Sequence, residues 1–182
     1  MYLKNEFVLL RAIEEKDAQL LWKMINDPTI EHYTLSGNYP VSQHQQKQWI
    51  ENYRNSDSII RFIVELEGGD AIGMVMLTKI DWKNRSAHIA YKCDLESPAR
   101  RKGDMRLAVS ALLDYAFYEL NLHRIEAEIL EYNFASQKLM LAMGMTQEGR
   151  RRKCVFRSGM YHDVLVMGLL EEEWRQRQKT NG

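Results

Sequence analysis

The chain has 182 residues, 45% of them hydrophobic and 27% charged, a composition typical of a globular protein with a buried core. Its 25 basic residues are matched by 25 acidic ones, so the formal net charge at pH 7 is zero. This balance argues against nucleic acid as the main partner, because neutralising several phosphates requires a basic face. The length predicts one domain over residues 1–182.

The cysteines and the apolar pattern bear on the location of the protein. Cys93 and Cys154 show neither metal-ligand spacing nor a CxxC pair, so we expect reduced thiols and no metal site. No apolar run approaches the ~18 residues that span a bilayer. Residues 1–11 lack the basic and apolar regions of a signal peptide. Together these features predict a cytoplasmic protein that has no membrane partner.

The first third of the chain predicts one strand and two helices. Residues 7–11 form an apolar strand, and residues 14–25 carry apolar side chains at helical spacing. This helix stops before Pro28, because the residue preceding a proline is pushed out of the helical region. We expect an irregular loop rich in aromatic residues at 31–40 and a second helix at 42–54.

Three antiparallel strands follow. Residues 59–66 alternate apolar and polar side chains, and the Gly-containing turn at 67–70 predicts a hairpin to a nearly continuous apolar strand at 71–80. Another turn leads to a strand at 86–93. This meander runs directly into a basic, Gly-containing stretch of the chain.

The stretch from Arg100 to Met105 has the features of an anion site. It contains Arg100, Arg101 and Lys102, followed by Gly103 and then by Asp104 and Met105, and it opens a predicted helix at 104–120. The first amides of a helix have no partner within it, and the helix dipole is positive there. Arginine and lysine add donors suited to phosphate.

The last third predicts a strand, a helix and a hairpin. The strand covers 124–130, and a helix capped near Asn133 covers 135–143. A hairpin of strands at 145–156 and 160–169 comes next, and residues 171–182 form a polar, loosely ordered tail. The predicted fold is α/β with a mixed sheet: about seven mostly antiparallel strands, one parallel pair at the cofactor cleft, and four main helices.

These elements resemble the acetyl-CoA-binding half of the GNAT family of N-acetyltransferases. The resemblance is carried by the pattern Arg100-x-x-Gly103-x-Met105, helix, strand, Asn133-x-x-Ser136, helix, Gly144-Met145. Met105 stands where the family usually has a second small residue. The helix ending at Asn26-Asp27-Pro28 resembles the branch that acetylates ribosomal-protein N-termini and polyamines such as spermidine.

The resemblance implies a cofactor and a reaction. The cofactor is acetyl-CoA, with its pyrophosphate on residues 100–105 and its pantetheine arm against Asn133. The reaction moves an acetyl group to a primary amine. The acceptor stays open between a peptide or protein N-terminus, a polyamine, an amino sugar and an aminoglycoside, and the oligomeric state stays open too, a homodimer included.

Acetyl transfer also needs donors for the thioester oxygen and a base for the amine. We expect the two parallel strands to splay, which frees the backbone amides of Lys92, Cys93 and Asp94. His88 lies near the position where members of this family often place a basic Glu, and its ordinary pKa of about 6.5 suits a base. Glu126 and Glu128 are the alternatives on the next strand.

The leaving thiolate needs a donor, and here the chain departs from the family. Many members have a Tyr four residues after the Ser position, whereas this chain has Met140. Ser136 is the predicted substitute, with Tyr132 and Tyr161 as unplaced alternatives. No base stands beside either cysteine in the sequence, so we expect direct attack in a ternary complex rather than an acetyl-cysteine. The rival hypothesis is a non-catalytic CoA-binding or regulatory module on the same scaffold.

Overall fold

A computed structural model describes residues 3–4, 7–36 and 39–181. Within these ranges, eight strands form one sheet in the order β1-β2-β3-β4-β5-β6-β8-β7. The strands are β1 (Leu3–Lys4), β2 (Val8–Arg11), β3 (Ile59–Leu66), β4 (Ala71–Asp81), β5 (Ser86–Cys93), β6 (Arg124–Leu130), β7 (Thr146–Arg157) and β8 (Met160–Leu170). The predicted α/β fold with a mixed sheet is confirmed; the short β1 is the additional strand.

The same ranges contain six α-helices. They are α1 (Ala18–Asn26), α2 (Pro28–Tyr33), α3 (Gln43–Asn52), α4 (Asp104–Asp114), α5 (Phe134–Ala142) and α6 (Glu171–Asn181). A short 3₁₀ turn, Glu15–Asp17, precedes α1, and a π-helical turn, Tyr115–Glu119, extends α4. The predicted helix at 104–120 therefore combines α4 with this turn.

The loop predicted at 31–40 is wrong in its first part, because α2 extends to Tyr33. Pro28 ends α1 but also occupies the first turn of α2, where its missing N–H costs nothing. The carboxylate of Asp27 caps α2 by accepting from the amides of Thr29 and Ile30. One proline therefore separates two helices, and residues 37–38 lie outside the described residues.

The polar segment predicted at 171–182 as a loosely ordered tail forms the helix α6, which packs on the core through one residue. Trp174 is 2% exposed, its ring lies 6.5 Å from that of Phe117, and its indole N–H donates to Asp114 at 2.9 Å. Burying an indole that keeps its hydrogen bond stabilises the docked helix. The polar composition of this segment conceals one anchoring residue.

Strand alternation divides the core into two layers. Val75 and Leu77 of β4 pack in the larger cluster, which includes Leu112 of α4, whereas Met74 and Met76 pack in the cluster that contains Met24 of α1. Successive side chains of a strand point to opposite faces, so the helices are split between the two faces of the sheet. We call the face that packs on α4 the cofactor face and the face that packs on α1 the acceptor face.

The pairing between β5 and β6 is short. β5 and β6 run parallel, and they pair at Ser86 with Arg124, at Ala87 with Ile125 and at His88 with Glu126. β5 continues to Cys93 and β6 to Leu130, but beyond His88 they have no further pairing in the described part of the chain. This is the parallel pair that the sequence predicted, and it opens into a cleft.

Candidate active site

A cavity of about 420 Å³ occupies the gap between β5 and β6. Its walls come from both diverging strands, from the first turns of α5 and from the segment after α2. The residues that line it include Thr34, Ser36, Lys79, His88, Tyr91, Lys92, Glu128, Asn133, Ser136 and Met140. Four residues predicted from the sequence as catalytic or cofactor-binding therefore meet in one cavity: His88, Lys92, Asn133 and Ser136.

One wall of the cavity is the segment Tyr33 to Ser36, which is held from behind. Arg157 of β7 donates to the carbonyl oxygens of Thr34 and Ser36 at 3.1 and 2.8 Å and to the Glu31 carboxylate at 3.0 Å. Each of these bonds involves a charged group, a class that is stronger than neutral hydrogen bonds. This wall of the cavity is therefore fixed to the β7–β8 hairpin.

Backbone directions along β5 correct the predicted set of free amides. The Asp94 amide donates to Ile72 of β4 at 2.8 Å, and antiparallel pairing alternates along a strand, so the Lys92 amide also points toward β4. The amides of Cys93 and Tyr91 point the other way, toward the cleft. Of the three predicted amides, only that of Cys93 points away from β4, because a strand exposes only every second amide on one edge.

The basic turn before α4 keeps several amides open. No acceptor among the described residues pairs with the amides of Lys102, Gly103, Met105 or Arg106. Gly103 caps the helix with φ of 109°, and a Cβ there would meet nothing within 4 Å. An approaching phosphate would therefore meet open backbone at the positive end of a helix.

Two backbone amides in this turn, those of Arg101 and Asp104, already have hydrogen-bond acceptors. They are therefore not free to bind an anion as the sequence predicted. The Asp104 carboxylate accepts from the Arg101 amide at 2.6 Å, and the Asp104 amide donates to the Arg101 carbonyl at 3.3 Å. The side chains of Arg100, Arg101 and Lys102 form no ion pair with any described residue and are exposed. These cations are available to an anion even where the amides are not.

Met105 does not block this turn. Its side chain is 8% exposed and lies in the core cluster with Ala108 and Val109 of α4. The long side chain points into the protein, whereas the amide belongs to the open set at the helix start. The substitution of a small residue by methionine therefore leaves the backbone of the anion site accessible.

Asn133 is a helix cap that also ties the cavity wall. Its Oδ1 accepts from the Ser136 amide at 3.1 Å, and its Nδ2 donates to the Tyr33 carbonyl at 2.8 Å. An amide side chain has one further donor and one further acceptor position. Asn133 can meet a pantetheine arm through these, and its predicted role as a helix cap is present.

His88 stands at the vertex where the strands part. Its Nε2 lies 3.0 Å from Glu126 Oε2, and its Nδ1 lies 3.8 Å from Glu128 Oε1. Burial, assisted by Lys79, lowers the pKa of His88 despite these carboxylates. The imidazole is therefore neutral at neutral pH. The nearby Glu126 favours the proton on Nε2, which leaves Nδ1 able to accept one.

The two glutamates of β6 differ in position. Glu128 lines the cavity, whereas Glu126 lies behind His88 and also accepts from Arg124 at 2.8 Å. Burial raises the pKa of Glu128, but Arg151 at 2.6 Å and Lys79 at 3.5 Å outweigh it and the net shift is downward. Glu128 is a paired carboxylate rather than a free base.

Tyr91 is a candidate functional residue that the sequence did not indicate. Its hydroxyl lies 2.9 Å from Ser136 Oγ inside the cavity, and burial raises its pKa, so the phenol stays protonated. Met140 is 2% exposed and cannot donate a proton. The Tyr91–Ser136 pair therefore places two hydroxyls near the position that a tyrosine of α5 would serve. No sequence motif links residues 91 and 136; only the topology brings them together.

The other tyrosines and the cysteines considered from the sequence either lie outside the cavity or are in a form that disfavours reaction. Tyr132 donates to the His32 carbonyl at 2.8 Å, and Tyr161 is 61% exposed beside Phe156 on the hairpin. Cys154 is exposed on β7. Burial raises the pKa of the Cys93 thiol, which disfavours the thiolate that a covalent route needs.

Comparison with known proteins identifies the class. Residues 8–146 match the Acetyltransferase (GNAT) domain, so the chain belongs to this family of N-acetyltransferases. It is an enzyme that uses acetyl-CoA and transfers an acetyl group to an amine. Among the described residues, no helix has the length and apolarity that a membrane crossing requires.

The relatives agree with the branch that the sequence indicated. The spermidine N(1)-acetyltransferase of Vibrio cholerae is 27% identical over 96% of this chain and 99% of its own length. YdaF of Bacillus subtilis, whose name marks it as a candidate ribosomal N-acetyltransferase, is 29% identical over 93% of this chain and 94% of its own. A crystal structure of the Vibrio cholerae spermidine enzyme with CoA and spermine superposes with a TM-score of 0.85 at 28% identity, covering 94% of this chain and 99% of that one.

Proposed function

We propose that the enzyme transfers the acetyl group directly to a primary amine in a ternary complex, with His88 as the base. The single observation that carries this proposal is the position of His88. It is the last residue of β5 that pairs with β6, and the cavity begins immediately beyond it. A base at this point contacts an amine that enters from the acceptor face while the cofactor lies on the other side of the strands.

The open amides before α4 and the exposed cations beside them hold the pyrophosphate of acetyl-CoA. Lys102, Gly103, Met105 and Arg106 supply amides, and Arg100 supplies a charged side chain. When bound, acetyl-CoA provides an activated acetyl thioester. The cleft-facing amides of Tyr91 and Cys93 orient it from the edge of β5, and they donate to its carbonyl oxygen as negative charge develops there.

Proton transfer is assigned to two residues. His88 Nδ1 accepts the proton that the acceptor amine loses as its nitrogen bonds to the acetyl carbon. The Tyr91 hydroxyl donates to the sulfur that leaves, and Ser136 supports the phenol by their contact. Bringing amine and thioester together supplies a further ~7–11 kcal/mol, so the acid need not be strong. The raised pKa of Cys93 favours this direct route.

A comparison of two histidine variants tests the proposal. His88→Gln removes the base and should lower kcat by about 100- to 10,000-fold while leaving CoA affinity unchanged. His44→Gln, on the exposed surface of α3, is the matched control. Release of free thiol from acetyl-CoA with a panel of primary amines measures kcat, and calorimetry with CoA measures binding.

Three results would contradict the proposal. Full activity in His88→Gln would exclude the histidine as base. An acetylated enzyme isolated without acceptor, with parallel initial-rate lines, would favour a covalent route. Binding of CoA without thiol release on any amine would favour the non-catalytic rival.

The cytoplasmic location stays a prediction, checked by fractionating cells that express the tagged protein.

A further inference from the structure

One cation in the cavity has no partner. Lys92 lies on β5 four residues after His88, on the same face of the strand, and it lines the cavity. No described residue forms an ion pair or a side-chain hydrogen bond with its ammonium group. Burial lowers the pKa of Lys92, and no charged group offsets this effect. Unpaired buried charges are costly, so their usual role is to meet a ligand.

The remaining charges of the cavity do not compensate Lys92. Glu128 is the one carboxylate among the lining residues, and it already has Arg151 at 2.6 Å and Lys79 at 3.5 Å. His88 is neutral at neutral pH because burial and Lys79 lower its pKa. The cavity therefore carries an excess of positive charge on the side that receives the acceptor.

The facing wall adds neutral donors. Thr34 and Ser36 line the cavity, and their hydroxyl oxygens lie 2.9 Å apart. One of the two hydroxyl protons is engaged in that contact and the other is available to an acceptor. A lysine that shares its cavity with hydroxyls offers donors to a carboxylate, whereas its charge repels an ammonium group.

We propose that the acetyl acceptor is a primary amine that also carries a carboxylate, with the carboxylate bound by Lys92 and the amine presented to His88. This proposal rests on the function proposed above and names its substrate class. It separates the chain from its relatives that are named for spermidine, because a polyamine has only cationic groups to offer to an unpaired lysine.

The spacing on β5 suggests the shape of this acceptor. Four residues of strand separate the α-carbons of His88 and Lys92 by about 13 Å, and both side chains extend into the same cavity. An amine and a carboxylate held by these two residues must be several bonds apart. The cavity also has to admit the thioester end of the cofactor, so its volume of about 420 Å³ leaves room for a small molecule, which favours an ω-amino acid over an acidic peptide.

Binding measurements test the proposal without the reaction. The probes are 6-aminohexanoate, hexylamine and 1,6-diaminohexane, which share chain length and differ in the second group. Calorimetry on the CoA-bound enzyme should give an affinity for 6-aminohexanoate about tenfold or more above that for either other probe, the size expected of one charge-assisted hydrogen bond. A peptide with a free N-terminus and an acidic side chain tests the larger source of the same chemistry.

Three variants connect the preference to the lysine. Lys92→Met should abolish the tenfold preference, through a higher KM for 6-aminohexanoate. Lys92→Arg keeps the charge and should retain the preference. Lys83→Gln, at the exposed turn between β4 and β5, is the control that should change nothing.

The outcomes separate this proposal from the function on which it rests. If wild type acetylates all three amines and prefers the diamine, the substrate class is wrong and the transferase chemistry stands. If Lys92→Met weakens CoA binding and leaves the acceptor preference intact, Lys92 belongs to the cofactor site and the proposal fails. If no amine is acetylated while 6-aminohexanoate still binds best through Lys92, the anion site stands and the proposed reaction fails.

Discussion

Two cations of this protein, one buried and one half-buried, have opposite surroundings. Arg11 of β2 is 3% exposed and donates to both carboxylate oxygens of Asp17 at 2.8 Å and to Glu65 at 2.5 Å. These acceptors raise its pKa. Lys92 of β5 lines the cleft and has no such acceptor among the described residues, and burial lowers its pKa.

The difference separates a structural charge from a functional one. Arg11 is satisfied before any ligand arrives, and it ties β2 to the 3₁₀ turn and to β3. Lys92 is left with its desolvation uncompensated in the free protein, because no carboxylate among the described residues pairs with it. Removing a partner should therefore harm the first region, whereas removing the cation itself should relieve the second.

The largest effect on stability is expected in the paired region. Asp17→Ala leaves Arg11 buried with one carboxylate instead of two and should lower the free energy of unfolding by about 3–5 kcal/mol. Urea denaturation measures this loss. Glu15→Ala, at an exposed neighbour, is the control. A loss below about 1 kcal/mol would mean that the Arg11 network resembles a surface ion pair.

In the basic turn before α4, Gly103→Trp should weaken acetyl-CoA binding by about 100-fold or more. The side chain covers amides that supply several charge-assisted hydrogen bonds. Gly159→Trp is the matched control, since it also has positive φ and open space around its Cβ. Both variants should lose similar stability, and only the first should lose affinity in calorimetry. Equal affinity in the two would locate the cofactor elsewhere.

Within the cavity, Tyr91→Phe should lower kcat by about tenfold. The expected loss is below the usual range for an acid because a thiolate leaves readily at its ordinary pKa of about 8.5. Ser136→Ala should have a smaller effect in the same thiol-release assay. Tyr161→Phe, on the exposed hairpin, serves as the control. An unchanged rate in Tyr91→Phe would remove the phenol from the reaction.

The pH dependence of kcat/KM should report the protonation of His88. Its pKa in the fold lies below the ordinary 6.5, so the neutral base persists as the pH drops through 6.5 and is lost only when the pH falls through the lowered value. The acid limb of kcat/KM should therefore have its midpoint below pH 6.5, and His88→Gln should remove that limb. A midpoint above 6.5 would show that the carboxylates, rather than burial, control the imidazole.

The smallest effect has the opposite sign. Lys92→Met removes an unpaired cation from the cavity and should leave the free energy of unfolding unchanged or raise it by about 1 kcal/mol. Thermal denaturation in the absence of ligand measures the difference, with Lys92→Arg as the comparison. Marked destabilisation by Lys92→Met would mean that the lysine is structural, and the contrast with Arg11 would disappear.

Local patterns predicted most of the fold. Alternating side chains defined β3, the Gly-containing turn defined the hairpin to β4, and the parallel pair followed from the order of strand, helix and strand. The errors came from packing. Pro28 was interpreted as the end of a helix although it also begins another, and Trp174 anchors a segment whose other residues are polar. A single tertiary contact outweighs local composition in both places.

The site was predictable only as far as local sequence defines it. The basic turn, the Asn133 cap and the position of His88 followed from motif and strand order. The Tyr91–Ser136 contact joins residues far apart in the chain, and the absence of a partner for Lys92 depends on every neighbouring element. Likewise, the Asp94 amide was expected to be free because sequence does not reveal which edge of a strand an amide faces.

The brevity of the β5–β6 pairing has a mechanical consequence. β4 and β5 share seven residue pairs and β6 and β8 share seven, but β5 and β6 share three. The sheet therefore consists of two well-paired parts that are joined by a short stretch of pairing. Twisting one part against the other disturbs fewer hydrogen bonds here than at the β4–β5 or β6–β8 pairing, so the width of the opening is easier to change than the separation of either of those strand pairs.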